Sequence, residues 1–152
     1  LQYYYIGRYL MIWLLRLYLL FMGLVYFLIG VWAIFDPILL SSEIETTPFL
    51  EIVGLSVASE IGYSEIAGLY GGLNLWIGVM CIVGIFKESI GIFAIKFITF
   101  LVGAIASGRV IFSLIPSSSG FYNSFFVFEI CAFVIGVGFL FYYRNLDKIA
   151  EA

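Results

Sequence analysis

The stretch Glu65-Ile-Ala-Gly-Leu-Tyr-Gly-Gly-Leu-Asn74 places a carboxylate, a phenol, an amide and three glycines at the head of an apolar run that ends near Phe86. Two further charges, Arg109 and Glu129, stand inside other apolar runs. A carboxylate, a phenol and a guanidinium together can hold a polar headgroup, a quinone or a small solute. They do not make a nucleophile–base pair. The chain has no histidine, so the commonest general base and the commonest metal ligand are both missing. No catalytic residue, metal site or cofactor is expected, and an enzyme is the least favoured reading. Cys81 and Cys131 both fall in apolar runs. Cys81 counts to near one membrane face and Cys131 to nearer the middle, so no disulfide is expected and both read as small buried hydrophobes.

The elements that must position these groups are membrane helices. The chain has 152 residues, 64% hydrophobic and 11% charged, with a mean hydropathy of +1.15. A soluble domain is about a quarter charged, so this is an integral membrane protein, of a length that suits one domain. No basic patch is available for nucleic acid. Four spans are expected, at about 17–35, 66–86, 90–115 and 121–143, in an all-α four-helix bundle over residues 1–152. The first apolar run exceeds a signal-peptide core and is expected to be a retained span. Asp36-Pro37 is expected to close it, because proline disfavours helix in the residue before it. Residues 36–63 hold Asp36, Glu43, Glu45, Glu51 and Glu60 and no lysine or arginine. Within them Thr47-Pro48 reads as a helix start. Phe49, Ile52, Val53, Val57 and Ile61 then recur at helical spacing, which predicts a short amphipathic helix on the membrane surface or over the bundle mouth. Ser64 reads as the N-cap of the second span and Glu65 suits its first turn. Lys87-Glu-Ser89 and the stretch 116–120, Pro-Ser-Ser-Ser-Gly, read as turns.

Six of the seven cations (Arg8, Arg16, Lys87, Lys96, Arg144 and Lys148) fall on one side of a four-span topology. The positive-inside rule makes that side cytoplasmic, with both termini in it and residues 36–63 outside. The expected location is the bacterial inner membrane. Lys96 reads as a snorkelling residue, Trp32 as an interfacial belt residue, and Trp76 as lipid-facing or core rather than a cofactor stack.

Arg109 counts to about 9 Å from the outer end of its span and Glu129 to about 12 Å, at 1.5 Å per residue. The depths match, and an ionised group there costs about 2.5–3.5 kcal/mol if left alone. An Arg109–Glu129 ion pair is therefore expected, with Tyr70 and Asn74 at similar depth and Glu65 above them. Two readings stand for this cluster of Glu65, Tyr70, Asn74, Arg109 and Glu129. It is a polar clasp that fixes helix register, the favoured reading, or an outward-facing ligand pocket. Gly68-x-x-x-Gly72, with Gly71 beside it, and Gly103-x-x-x-Ser107 with Ala104-x-x-x-Gly108 supply small-residue faces for close helix contact.

At Glu65-Ile-Ala-Gly-Leu-Tyr-Gly-Gly-Leu and Ala106-Ser-Gly-Arg109-Val the chain resembles an uncharacterised bacterial four-helix membrane family, domain of unknown function 4345. The resemblance covers the chain from the first span to Tyr143. It implies an E-x-R-x-x-Y-G-G opening to the second span and a G-R in the third. Ala67 stands where that pattern has arginine, which removes one charge and leaves Glu65 to seek another partner, Arg109. The family implies a fold and no activity. A more distant likeness to the DoxX-like proteins rests on architecture alone. The leading expectation is an accessory or structural subunit of a larger membrane complex, with the lipid bilayer and other membrane subunits as partners. The alternative is a binding or transport protein for a lipid, quinone or small solute, using the outer-half polar pocket.

Overall fold

The computed structural model describes residues 2–40, 48–114 and 122–151, and among them every regular element is helical. In order these are α1 (Gln2–Leu40), α2 (Pro48–Val53), α3 (Glu60–Ile66), a π-helical turn (Ala67–Gly72), α4 (Leu73–Phe86), α5 (Glu88–Phe112) and α6 (Ser124–Glu151). Four stretches are long and apolar enough to cross a membrane: Gly7–Asp36, Glu60–Phe86, Glu88–Phe112 and Ser124–Asn145. The protein is all-α with four membrane-length helices. The Thr47 cap and the turn at 116–120 lie outside the described residues.

Several boundaries differ from those the sequence suggests. α1 does not stop at Asp36-Pro37 but continues to Leu40. The Trp32 indole N–H donates to Asp36 Oδ1 at 3.1 Å, a one-turn contact that requires helical backbone from 32 to 36. The helix expected to run from Phe49 to Ile61 breaks after Val53. Gly54 takes φ +68°, its N–H reaches the Glu51 carbonyl at 3.1 Å, and the Leu55 N–H reaches the Leu50 carbonyl at 2.9 Å. That pair of bonds is a Schellman stop, which favours glycine at the left-handed position. The second span then begins at Glu60 rather than Ser64, with Ser59 as an extended N-cap residue. α6 begins at Ser124 because the Asn123 side-chain oxygen accepts the Phe126 N–H at 3.0 Å, an N-cap bond.

The chain divides into two compact units, one of residues 1–15 with 92–152 and the other of residues 16–91. In the 16–91 unit, α1 and α4 run antiparallel along a seam of glycines. A β-carbon on Gly78 would stand 2.6 Å from the Phe27 amide nitrogen, and one on Gly30 would collide with the Leu75 backbone. Gly23 faces Cys81 and Ile82 at 3.2 Å, and Gly71 faces Ile34. Backbones approach this closely only where side chains are absent. At the α4–α5 turn, Gly84 and Gly91 meet in the same way, at 2.8 Å. Leu19, Met22, Leu50 and Cys81 are the large fully buried side chains of this unit.

In the other unit α5 lies antiparallel to α6, and the contacts are of side chains with notches. The Phe133 ring sits over Gly103, where a β-carbon would be 2.7 Å from Cε2, and Thr99 sits over Gly136. Ile98 and Val102 are fully buried. Thr99 is buried, and its hydroxyl has no hydrogen-bond partner among the described residues.

Candidate functional sites: two buried carboxylates

Among the described residues each unit holds one buried carboxylate in a membrane-length helix. In the unit of α5 and α6 it is Glu129, 8% exposed. The Arg109 guanidinium donates to it from Nε to Oε2 at 2.9 Å and from Nη2 to Oε1 at 3.1 Å. This two-pronged geometry is the strong form of an ion pair. The cationic end also suits its helix. Arg109 is in the last turn of α5, where the dipole favours a cation, and Glu129 lies one turn further into α6 than the dipole reaches. Because α5 stops at Phe112, Arg109 lies closer to its helix end than the counted depth, and its side chain stays 32% exposed. The third turn of α5 from its end carries a side-chain bond of its own, with Ser107 Oγ donating to the Gly103 carbonyl at 2.7 Å.

In the 16–91 unit the buried carboxylate is Asp36, 7% exposed. Among the described residues no cation pairs with it. Oδ1 accepts the Trp32 indole N–H, and Oδ2 accepts the Phe49 backbone N–H at 2.9 Å. Phe49 is the second residue of α2, so Asp36 caps that helix from thirteen residues upstream. Proline at the first position of α2 has no N–H to satisfy. The Phe49 ring stands edge-on to Trp32 at 5.6 Å and to Tyr70 at 5.9 Å. Phe49 and Leu50 form a small core with Ala33 and Ile66, flanked by Ile29, Val53, Val57 and Tyr63. α2 thus completes a hydrophobic core built by α1 and α3.

Tyr70 belongs to the π-helical turn, in which the Leu73 N–H reaches back five residues to the Gly68 carbonyl. Such a turn holds one residue more than an α-turn, and it is frequent at functional sites. The Asn74 side-chain amide donates to the Tyr70 carbonyl at 2.6 Å, giving that carbonyl a donor within the widened stretch.

The structure therefore brings together Arg109 with Glu129, and Tyr70 with Asn74, the latter through backbone. Glu65 is exposed and makes no ion pair among the described residues. Of the glycines expected at helix contacts, Gly71 and Gly103 lie against neighbouring helices. Gly68 and Gly108 have nothing within 4 Å of where a β-carbon would stand, and Gly72 meets only the Ala67 carbonyl at 3.7 Å. Cys81 is buried and Cys131 is exposed, which corrects the reading of both as buried. Trp76 and Lys96 face outward.

Asp36, Trp32 and Phe49 were not legible as a site. A carboxylate before proline reads as a helix stop, and the bond to Phe49 depends on where α2 folds back. The signal that could have found the α1–α4 seam is the seven-residue spacing of Gly23 with Gly30 and of Gly71 with Gly78, since seven residues return to one helix face. Among the described residues no three histidine, cysteine, aspartate or glutamate side chains gather to hold a metal ion. No family model matches the chain, and neither a curated protein nor a solved structure matches it.

Proposed function

We propose that this protein works by association, as a small accessory or structural subunit of a larger membrane assembly. The observation that carries the reading is the internal use of both buried carboxylates. Glu129 is answered by Arg109, and Asp36 by Trp32 and the start of α2. These groups fix helix register and are already engaged, as in a clasp. The outward surface is apolar and carries open small-residue positions at Ala104, Gly108 and Gly138, which suit close approach by a partner helix. In this reading the chain is a divergent relative of the four-helix family that its Glu65 and Arg109 stretches resemble. It lies in a bacterial inner membrane with both termini cytoplasmic and residues 36–63 outside, as the cation distribution favours. Extraction from its native membrane in mild detergent should yield stoichiometric partner subunits. Migration as a lone monomer would sink the proposal. A reporter at residues 40–45 tests the orientation, which fails if the reporter is cytoplasmic.

A second reading is a binding or transport role for a lipid, quinone or small solute, and the exposure of Arg109 favours it. Part of the guanidinium remains reachable by a headgroup while Glu129 holds the rest. Arg109→Leu combined with Glu129→Leu separates the two. Intact assembly with lost transport or ligand binding favours the second reading, and lost assembly favours the first.

A further inference from the structure

The Glu65–Asn74 stretch is unusual in its backbone, and that backbone bears on α2. In the π-helical turn Ala67–Gly72 one residue is accommodated beyond the α-helical number. Closing the turn to α-helix would therefore rotate α3 relative to α4 by about 100°, the angular step of one helical residue. The residues on α3 and the turn that meet α2 are known: Ile66 in its core, Tyr63 at its edge, and Tyr70 against the Phe49 ring. A rotation of that size carries Ile66 and Tyr63 off the core. α2 would then be left with Ile29, Trp32, Ala33 and Asp36 of α1. A six-residue helix does not hold its shape without tertiary contacts.

The local chemistry suits two arrangements. Gly68 has open space around it and Gly72 touches only a carbonyl of its own turn, so neither glycine is itself wedged against a neighbouring helix. Gly71, by contrast, is fixed against Ile34 of α1, which anchors the C-terminal half of the turn. Asn74 supplies a second anchor, its amide holding the Tyr70 carbonyl. On the other side, α2 ends at Gly54 in the left-handed region, a single-residue joint between α2 and the extended segment that leads to α3.

We propose that the turn Ala67–Gly72 is a register switch: widened, it holds α2 in place through Tyr70 and Ile66, and closed to α-helix it releases α2. The switch controls access to Asp36, the buried carboxylate that the start of α2 covers.

A single-residue deletion tests this, because removing Gly68 lets the chain run as an unbroken α-helix while α3 keeps the face it now presents. The full chain is placed in lipid nanodiscs, and amide hydrogen exchange is followed in peptides covering Pro48–Val53, with α5 as the fold control. The deletion is expected to slow exchange across α2 by about tenfold or more, since local opening sets that rate. Asn74→Leu, which removes the anchor on Tyr70, is expected to speed it severalfold. Unchanged or faster α2 exchange in a deletion variant whose α5 is still protected overturns the proposal. Should the deletion variant not fold, the wild-type chain decides. The turn and α2 are expected to open with one common rate as lipid composition is varied, and separate rates overturn the coupling.

Discussion

The two units solve the same problem, closing an antiparallel pair of apolar helices, with opposite materials. Along α1 and α4 the two tightest glycines of the seam meet backbone, Gly30 on Leu75 and Gly78 on Phe27, while Gly23 and Gly71 take up side chains. In α5–α6 the contact is side chain into notch, Phe133 over Gly103 and Thr99 over Gly136, secured by one ion pair. Backbone cannot step aside, whereas a phenyl ring or a threonine can change rotamer. The glycine seam should therefore be rigid and intolerant, and the notched seam adjustable. The carboxylates differ in the same sense. Glu129 faces a flexible cation, while Asp36 faces a main-chain N–H and an indole that are fixed in place.

The largest effect is expected where a methyl group meets backbone. Gly78→Ala places a β-carbon 2.6 Å from the Phe27 nitrogen, and overpacking of this kind costs about 3 kcal/mol or more where the neighbour cannot move. Thermal unfolding in detergent should show a large fall in midpoint, and a fall as small as that of Gly136→Ala would erase the contrast between seams. Next comes Arg109→Leu, which leaves Glu129 buried and unanswered. A loss of about 2–4 kcal/mol is expected, reduced from the fully buried case by the exposure of the arginine. Adding Glu129→Leu should recover most of it, and equal losses in the single and double variants would show that the pair does not carry the clasp. Asp36→Asn follows, at about 1–3 kcal/mol, since one side-chain atom facing the two N–H donors becomes a donor itself. Its signature is faster amide exchange at Phe49 with α5 unaffected. The smallest effect has the opposite sign. Thr99→Val removes a buried hydroxyl without a partner among the described residues and should stabilise by up to about 1 kcal/mol. A loss of more than that in the same unfolding assay would mean that the hydroxyl is engaged.

The four apolar helices were legible because each is a run that water would reject over its whole length. The meeting of Arg109 with Glu129 follows from matched depth on sequence neighbours, a one-dimensional argument. The fate of Asp36 could not be reached that way. Its partners are Trp32, one turn back, and Phe49, whose N–H is available only because α2 folds onto α1. The amphipathic periodicity through Phe49 and Ile61 continued past Gly54, yet the left-handed glycine ended the helix. Periodicity reports which faces are apolar and does not see a Schellman stop. The widened turn at Ala67–Gly72 is a backbone register with no composition of its own. Its glycines suggested helix contact, and of Gly68, Gly71 and Gly72 only Gly71 makes one with another helix.

The order in which the chain is synthesised gives the α5–α6 pair a further meaning. Arg109 precedes Glu129 by twenty residues, so at the usual pace of about 5–20 residues per second the cation waits on the order of one to four seconds for its counter-charge. Had it been placed in the middle of α5, it would spend that interval as a lone charge in hydrocarbon. Its position in the final turn keeps the guanidinium at the end of α5, close to where an apolar run gives way to polar residues, until α6 arrives. The pair that joins α5 to α6 can form only once the later-made glutamate is present.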